Sequence, residues 1–255
     1  MMAKQNCGHC GKEIGFTAQV KLADGSFLCR DCYKEAGRVF NNMVHTYPAY
    51  EKLLKEQERN EKIFDQILKG QKKSETFGAD SGWLLYCYAT SGLMFFKTER
   101  GGFAGLGADK TYNIYRYADL AGYEEMDGNP AIDNRMKSGQ KYVHLTFDGD
   151  YAVKDVYMPS KPGMYKRLAE YFDECFGLGG KGVRGFMNSV KKNKQDIMAA
   201  AAITQSVKSM LAGGDQEQAA QVITDNAKLV LQGDRTEWIQ KTDAVLSSAK
   251  IAWEV

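Results

Sequence analysis

Cys7-Gly-His-Cys10 and Cys29-Arg-Asp-Cys32 are two C-x-x-C pairs near the start of the chain, and eighteen residues separate them. Two such pairs at this separation have the spacing of a structural zinc site. A C-x-x-C turn places both sulfurs on the same side, and Gly11 directly after the first pair allows the chain to turn sharply away. The pattern therefore predicts one zinc ion held by Cys7, Cys10, Cys29 and Cys32.

The residues between the pairs predict how the second pair returns to the first. Residues 19–28 have the pattern of a β-hairpin around Asp24-Gly25. The second pair begins a predicted helix, whose N-terminal dipole favours thiolates and which continues through Tyr33, Ala36 and Phe40. Turn, hairpin and helix together predict a treble-clef or zinc-ribbon unit.

Four thiolates would complete a tetrahedral zinc site with no position left for water, so the site is predicted to be structural and not catalytic. A segment of about 35 residues is too small to fold on its own core, and metal binding would supply the missing stability. The alternative is two pairs of free thiols or a redox dithiol, but a redox C-x-x-C normally occurs singly within a βαβ unit. His9 could replace one cysteine as a ligand, although we interpret it as a surface residue. Cys87 and Cys175 are predicted to be small core residues.

Roughly the first 45 residues resemble a bacterial family of short double-CxxC domains, domain of unknown function 4428. The resemblance rests on Cys7-x-x-Cys10-Gly11-Lys12-x-Ile14-Gly15, Lys21-Leu22-x-Asp24-Gly25 and Cys29-x-x-Cys32. It implies zinc binding through the same four cysteines, and it implies no catalytic activity.

Residues 33–72 are predicted to be helical, because apolar residues recur three and four positions apart on both sides of Pro48. Pro48 suits the first turn of the second of these helices. We therefore divide the N-terminal part into a four-cysteine zinc-binding module at 1–46 and a helical linker at 47–75.

Residues 76–180 change character, because aromatic and β-branched residues dominate and Gly and Asp punctuate them. Five strands are predicted here, at Trp83 to Tyr88, Gly92 to Thr98, Tyr112 to Tyr117, Tyr142 to Asp148 and Tyr151 to Met158. Asp148-Gly149-Asp150 predicts the turn between the last two strands. Alternation predicts a core face formed by Val143, Leu145 and Phe147. A helix follows, with an apolar stripe formed by Tyr165, Leu168, Ala169, Phe172 and Phe176.

An antiparallel sheet followed by one helix predicts an α+β domain. It resembles a small bacterial pleckstrin-homology-like (PH-like) domain through the segment Tyr115-Arg-Tyr-Ala-Asp-Leu120, the paired strands at 141–158 and the closing helix at 162–176. The resemblance implies a binding function, for a lipid headgroup or a peptide. The first hairpin loop contributes only Lys97 and Arg100 as basic residues, which disfavours the headgroup.

Residues 181–255 are alanine-rich and predict a C-terminal helical region. Its three helices are predicted at 197–210, at about 216–231, and after a cap at Asp234 or Thr236.

Two further segments could carry a function. The Gly-rich run at 101–107 lacks the strand–loop–helix order of a phosphate loop, and we interpret it as a β-loop whose tip, Phe103 and Leu106, could insert into a partner. The basic stretch at 181–194 could lie on nucleic acid or an anionic membrane, although we interpret it as a joining helix.

Charge and motifs narrow the classes of function. The chain of 255 residues has a formal net charge of +2 and a sequence pI near 8.1, below the ~9 of strongly basic nucleic-acid-binding domains. Four thiolates and one Zn²⁺ would lower the net charge of residues 1–32 from +1 to −1, which favours a protein partner over a phosphate backbone. The sequence contains neither H-E-x-x-H nor G-x-S-x-G, and no enzyme is predicted.

We therefore expect an α+β multidomain chain that acts as a non-catalytic, cytoplasmic, zinc-binding adaptor in protein–protein interaction. The cytoplasm is expected because no apolar secretory segment and no apolar run of ~20 residues occurs in the sequence. Six cysteines in that compartment indicate metal ligands or free thiols. The alternatives are a nucleic-acid-binding zinc-ribbon protein and a peripheral membrane protein that binds lipid through the PH-like domain.

Overall fold

A computed structural model describes residues 5–78, 83–100, 109–176 and 235–254. The first two predicted C-terminal helices, the basic stretch at 181–194 and the Gly-rich run at 101–107 lie outside these residues. The described part is a mixed fold of four α-helices and several antiparallel sheets.

The N-terminal segment is built from two small hairpins and a short helix. Strand β1 (Gln5–Asn6) pairs with β2 (Glu13–Ile14), and β3 (Gln19–Lys21) pairs with β4 (Phe27–Cys29), both antiparallel. Gly25 has a φ of +87° between β3 and β4, which confirms the hairpin predicted around Asp24-Gly25. Helix α1 (Arg30–Glu35) follows β4 directly.

The helix predicted to continue from Tyr33 through Phe40 is wrong beyond Glu35. Ala36 ends α1, and Gly37 then adopts a φ of +70°, which a helix cannot contain. Residues 36–46 form two turns and irregular backbone, so the helix predicted over 33–72 is interrupted there. Val39 and Phe40 are nevertheless buried, which explains why their spacing imitates the apolar face of a helix.

The second predicted helix is confirmed. Helix α2 (Tyr47–Ile63) has Pro48 in its first turn. It continues as one turn of π-helix over Phe64–Leu68, where the backbone N–H of Lys69 donates to the carbonyl of Phe64 at 2.8 Å. This turn is called the π-turn below.

Seven strands form two antiparallel sheets in the middle of the chain. The four-stranded sheet has the order β5 (Glu75–Gly78), β6 (Trp83–Tyr88), β7 (Leu93–Arg100), β8 (Asp109–Arg116). The three-stranded sheet has the order β9 (Leu120–Asp127), β10 (Lys141–Phe147), β11 (Asp155–Pro159).

Five of these strands were predicted, and β5 and β9 were not. The predicted start of the last strand at Tyr151 is wrong, because residues 148–154 form a longer connection and β11 begins at Asp155. The predicted core face of β10 is confirmed, since Val143, Leu145 and Phe147 are all buried.

Two further helices complete the described part. Helix α3 (Met164–Cys175) carries the predicted apolar stripe except for Phe176, which follows the last helical residue, and Leu168 and Phe172 are fully buried. Helix α4 (Thr236–Ala249) matches the third predicted C-terminal helix, but Thr236 is its first helical residue and caps nothing. Among the described residues, none of the helices combines the length and the apolar composition that a membrane span requires.

The four-stranded sheet is buried on both faces. Its inner face, with Leu85, Met94 and Phe96, belongs to a large core that includes the N-terminal cysteines, the three-stranded sheet and α3. Its outer face packs against the π-turn and α4 in a smaller core, to which Phe95 and Ile114 belong.

Candidate metal centre

The first cysteine pair lies in the tight turn between β1 and β2. The N–H of Cys7 donates to the carbonyl of Lys12 at 2.8 Å, and the N–H of Gly11 donates back to the carbonyl of Cys7 at 2.9 Å. Gly11 adopts a φ of +71°, as the sharp turn after the pair requires. The N–H of Gly8 donates to the carbonyl of Phe27 on β4 at 2.8 Å, and this bond ties the turn to the second hairpin.

The second cysteine pair lies at the junction of β4 and α1. Cys29 is the N-cap residue of α1, and its sulfur accepts a hydrogen bond from the N–H of Cys32 at 3.4 Å. The N–H of Cys29 in turn donates to the sulfur of Cys7 at 3.3 Å. The hairpin formed by β3 and β4 therefore returns the second pair to the first, as the sequence predicts.

The four cysteine sulfurs converge on one point. The Sγ atoms of Cys7, Cys10, Cys29 and Cys32 all lie within 4.8 Å of one another, and those of Cys10 and Cys29 are 3.9 Å apart. Cys10 is exposed, whereas the other three are buried. Four thiols held this closely form a donor set that could hold one metal ion.

The site stabilises negative charge on sulfur unevenly. Burial opposes ionisation of Cys7, but the backbone N–H groups of Cys10, Cys29 and His9 outweigh it and lower the pKa of Cys7 to about 6. Burial and the neighbouring thiols raise the pKa of Cys32. The thiolate is therefore favoured at Cys7, whereas the protonated thiol is favoured at Cys32.

Two tyrosines of α2 support the cysteine turns, and the sequence does not reveal this role. The hydroxyl of Tyr47 donates to the carbonyl of Gly8 at 3.0 Å, and the hydroxyl of Tyr50 donates to the carbonyl of Cys32 at 3.1 Å. Tyr50 is fully buried, and burial followed by the charge of Glu35 raises its pKa. The two tyrosines are three residues apart, so they lie on the same face of a helix. Apolar side chains would be enough to fill the core there, and the two hydroxyl groups could therefore have indicated a hydrogen-bonding role.

The other candidate residues lie away from this cluster. His9 is exposed, with its ring 5.4 Å from that of Tyr50, and its nitrogens are not among the clustered ligand atoms. Cys87 is fully buried on β6, and burial raises its pKa. Cys175 is half-buried on α3, where burial raises its pKa to about 11. Cys87 is thus the core residue that the sequence predicts, whereas Cys175 is only partly buried and packs against the edge of the core.

Comparison with known families agrees with the N-terminal geometry. Residues 5–49 match the family model of a domain of unknown function, DUF4428, and this confirms the resemblance drawn from the sequence. The match covers both cysteine pairs and the hairpin between them. Searches of curated proteins and of solved structures give no match to the chain.

Proposed function

We propose that residues 5–49 hold a structural zinc ion and that the chain acts as a non-catalytic adaptor for a protein partner. The observation that carries the zinc proposal is the convergence of the four cysteine sulfurs within 4.8 Å. Zinc bonded to sulfur at about 2.3 Å in a regular tetrahedron requires sulfur–sulfur distances of about 3.8 Å. The Cys10–Cys29 distance of 3.9 Å matches this requirement.

The same geometry supports a site without catalysis. Four thiolates occupy every position of a tetrahedral ion, and none is left for water or a substrate. Backbone N–H groups already donate to the sulfurs of Cys7 and Cys29, as they do in sites that hold a metal rigidly. Turn, hairpin and helix in this order support a treble-clef or zinc-ribbon classification of the segment.

The middle of the chain supports a binding role of a different kind. Four strands, then three, then the closing helix α3 give the element order that supports the PH-like classification. Domains of that class bind peptides or headgroups, and we propose the peptide. The cytoplasm suits such a chain, because none of the six cysteines is joined in a disulfide.

The N-terminal segment also exposes apolar side chains. Phe16 is 67% exposed, Val44 59% and Met43 43%, and Ile239 is the one other large apolar residue of comparable exposure among the described residues. Exposed apolar side chains occur at protein interaction surfaces, and these three lie in the same short segment of the chain. We propose that Phe16 and Val44 contact the partner.

Metal analysis tests the zinc proposal directly. One zinc per chain is expected for the full-length protein, and Cys29→Ser is expected to lose it. Cys175→Ser is the matched control, since it removes a half-buried thiol outside the cluster and should keep full zinc. Zinc retained by a variant lacking all four cysteines, or lost from Cys175→Ser alone, would contradict the proposal.

Affinity capture with matched surface variants tests the adaptor proposal. A specific protein should copurify with the wild type and with Ile239→Ser, which removes an exposed apolar side chain from α4. The same protein should be lost with the double variant Phe16→Ser/Val44→Ser, whose zinc content should remain that of the wild type. Equal capture by all three proteins would reject these residues as the contact surface.

A further inference from the structure

A groove lies where the N-terminal segment meets the three-stranded sheet. It consists of a larger cavity of about 380 Å³ and a smaller cavity of about 70 Å³. The two cavities adjoin, because five residues line both of them: Arg38, Trp83, Asp133, Arg135 and Tyr157. We call the two cavities together the junction groove.

One wall of the junction groove is residues 38–45, and hydrogen bonds hold it from two sides. The carbonyl of His45 accepts from the N–H of Ala23, in the turn of the second hairpin, at 3.1 Å. The side-chain Nδ2 of Asn41 donates to the carbonyl of Ile132, in the connection between β9 and β10, at 2.9 Å. The groove is therefore formed before a partner binds, and binding does not have to order it.

The larger cavity is cationic. Arg38, Arg135 and Lys137 contribute positive charges, and Asp133 is the one acidic residue among the described residues that line it. The Nε of Arg135 donates to Oδ1 and Oδ2 of Asp133 at 2.8 and 3.0 Å, so this carboxylate is already engaged. Lys137 is exposed and makes no ion pair within the part of the chain that the structure describes. The larger cavity therefore favours a carboxylate supplied from outside.

Asp133 also fixes the orientation of Arg135. Its Oδ1 accepts from the backbone N–H of Arg135 at 2.9 Å, and its Oδ2 accepts from Nη2 of the same residue. Asp133 is buried, whereas the side chain of Arg135 is 35% exposed. The Nη1 of Arg135 makes no hydrogen bond to the described residues. A guanidinium held on one side with a donor left on the other is pre-organised to pair with a second carboxylate.

Apolar side chains accompany these charges. Trp83, Tyr142 and Pro159 line the larger cavity, and Val39, Val44 and Ile132 line the smaller one. The smaller cavity has the space of about two water molecules, which suits a small apolar side chain. Val44 is 59% exposed, so this cavity continues into the apolar surface that we propose as a partner contact.

We propose that the junction groove binds an acidic peptide segment of the protein partner. An aspartate or glutamate of that segment pairs with Arg135 and Lys137 in the larger cavity, and a neighbouring apolar side chain enters the smaller cavity beside Val44. The inference rests on the proposed adaptor function, and it adds the chemistry of the segment that the partner presents.

Other anions fit the junction groove less well. A nucleic-acid strand carries a phosphate at every nucleotide, and a strand that followed the groove would bring phosphates to Asp133 and Asp155, which both line the smaller cavity. A small free carboxylate would match the cations but leave the apolar cavity beside Val44 unused. A peptide presents a charged and an apolar side chain next to each other, and so it matches both cavities.

Selection from a random peptide library displayed on phage, against the full-length, zinc-loaded protein, tests the proposal. Enriched peptides should carry aspartate or glutamate beside valine, isoleucine or leucine. The most enriched sequence, synthesised with a fluorescent label, should bind about tenfold more weakly when the amide replaces its acidic residue. The proposal is overturned if no peptide is enriched, or if the enriched peptides show no preference for acidic residues.

A labelled oligothymidylate is the competing probe in the same anisotropy measurement. We expect it to bind more weakly than the selected peptide. Tighter binding of the oligothymidylate, weakened by Lys137→Glu, would assign the groove to nucleic acid and overturn the proposal.

Two matched charge reversals locate the peptide. Lys137→Glu should weaken binding of the selected peptide by about tenfold or more. Lys154→Glu makes the same change at an exposed lysine that lines neither cavity, and it should leave binding unchanged. A second selection, against Lys137→Glu, should lose the preference for acidic peptides, which a merely misfolded variant would not explain. Equal binding by Lys137→Glu and the wild type would show that the peptide binds elsewhere and overturn the proposal.

The junction groove and the adaptor function can fail separately. The selected peptide binds without the natural partner, and Lys137→Glu leaves Phe16 and Val44 in place. Peptide binding that depends on Lys137, without any captured protein, supports the groove and rejects the adaptor. Capture lost with Phe16→Ser/Val44→Ser but retained in full by Lys137→Glu supports the adaptor and rejects the groove.

Discussion

Gly37 lies directly against Thr111, and a methyl group added to its Cα would approach the Oγ1 of Thr111 to 2.2 Å. The next residue along, Arg38, donates its backbone N–H to the Oγ1 of Thr98 at 3.2 Å. The hydroxyls of Thr98 and Thr111 are themselves 2.7 Å apart. The N-terminal segment thus contacts the inner face of the four-stranded sheet through the backbone of Gly37 and Arg38.

Gly37→Ala should therefore destabilise the protein markedly. The φ of +70° costs an L-residue about 1–2 kcal/mol, and overpacking against Thr111 typically adds about 1–3 kcal/mol. We expect the free energy of unfolding, measured by urea denaturation, to fall by about 3 kcal/mol.

The variant Gly139→Ala separates the cost of the positive φ from the cost of the contact with Thr111. Gly139 has a similar φ of +79°, but a methyl group there would meet nothing within 4 Å. The free energy of unfolding of Gly139→Ala should fall by only about 1 kcal/mol, which is the cost of the positive φ alone. Equal losses for the two variants would mean that the contact with Thr111 contributes nothing.

The local sequence predicts those elements whose signals are local. The C-x-x-C pairs, the Asp24-Gly25 hairpin and the bounds of β6 at Trp83–Tyr88 follow from residues that are adjacent in the chain. The stripe of α3 follows from its own periodicity. The convergence of the four sulfurs was also predictable, because a hairpin of this length returns the chain to its start.

The remaining elements depend on contacts that a single sequence does not show. Strand β9 contains Gly122, Glu124 and Glu125, residue types that are depleted in strands. It forms because its backbone pairs with β10 from Leu120 to Asp127, with one irregularity at Ala121. The stacking of Phe64 on Tyr112 was not predictable either, since these residues are far apart in the chain and are brought together by the packing of the π-turn on β8.

Metal removal should destabilise more than the N-terminal segment. Cys7, Cys29 and Cys32 belong to the same buried core as the inner face of the sheet, so loss of the metal should loosen that core. A strong chelator is expected to lower the Tm of the wild type by roughly 10 °C. Cys29→Ser should have this lower Tm before the chelator is added, and the chelator should not lower its Tm further. An unchanged Tm in protein shown by metal analysis to be free of zinc would contradict this.

His144 on β10 should make stability depend on pH. Its Nδ1 lies 3.0 Å from Glu124 and its Nε2 2.8 Å from Asp155, while its ring stacks on Tyr157. Burial alone would lower the pKa of His144, but the two carboxylates outweigh it and hold the pKa above the ordinary value. The contribution to stability is therefore complete below the unfolded pKa of about 6.5 and disappears as pH rises through the folded pKa.

His144→Gln should consequently reduce the free energy of unfolding more at pH 5.5 than at pH 8.5. An NMR titration gives the matched control within the same molecule, because burial lowers the pKa of His45. His144 should lose its proton at a higher pH than His45. The reverse order, or a variant equally destabilised at both pH values, would refute the assignment.

Glu56 on α2 should also make stability depend on pH, but here the charged form of the side chain opposes folding. Its Oε1 accepts a hydrogen bond from the N–H of Ala152 at 2.8 Å, and its side chain is buried. Burial raises the pKa of Glu56 despite this bond and the nearby charge of Arg59. Stability is therefore complete below the unfolded pKa of about 4.3 and declines as pH rises through the folded pKa.

Glu56→Gln keeps the acceptor for Ala152 and removes the buried charge. The variant should unfold at a higher Tm than the wild type at pH 7.5, and the difference should shrink toward pH 4, where the wild type is itself protonated. Glu58→Gln neutralises an exposed glutamate of the same helix and should change the Tm little at either pH. A Glu56→Gln variant less stable than the wild type at pH 7.5 would show that the attraction between Glu56 and Arg59 outweighs the burial of the carboxylate.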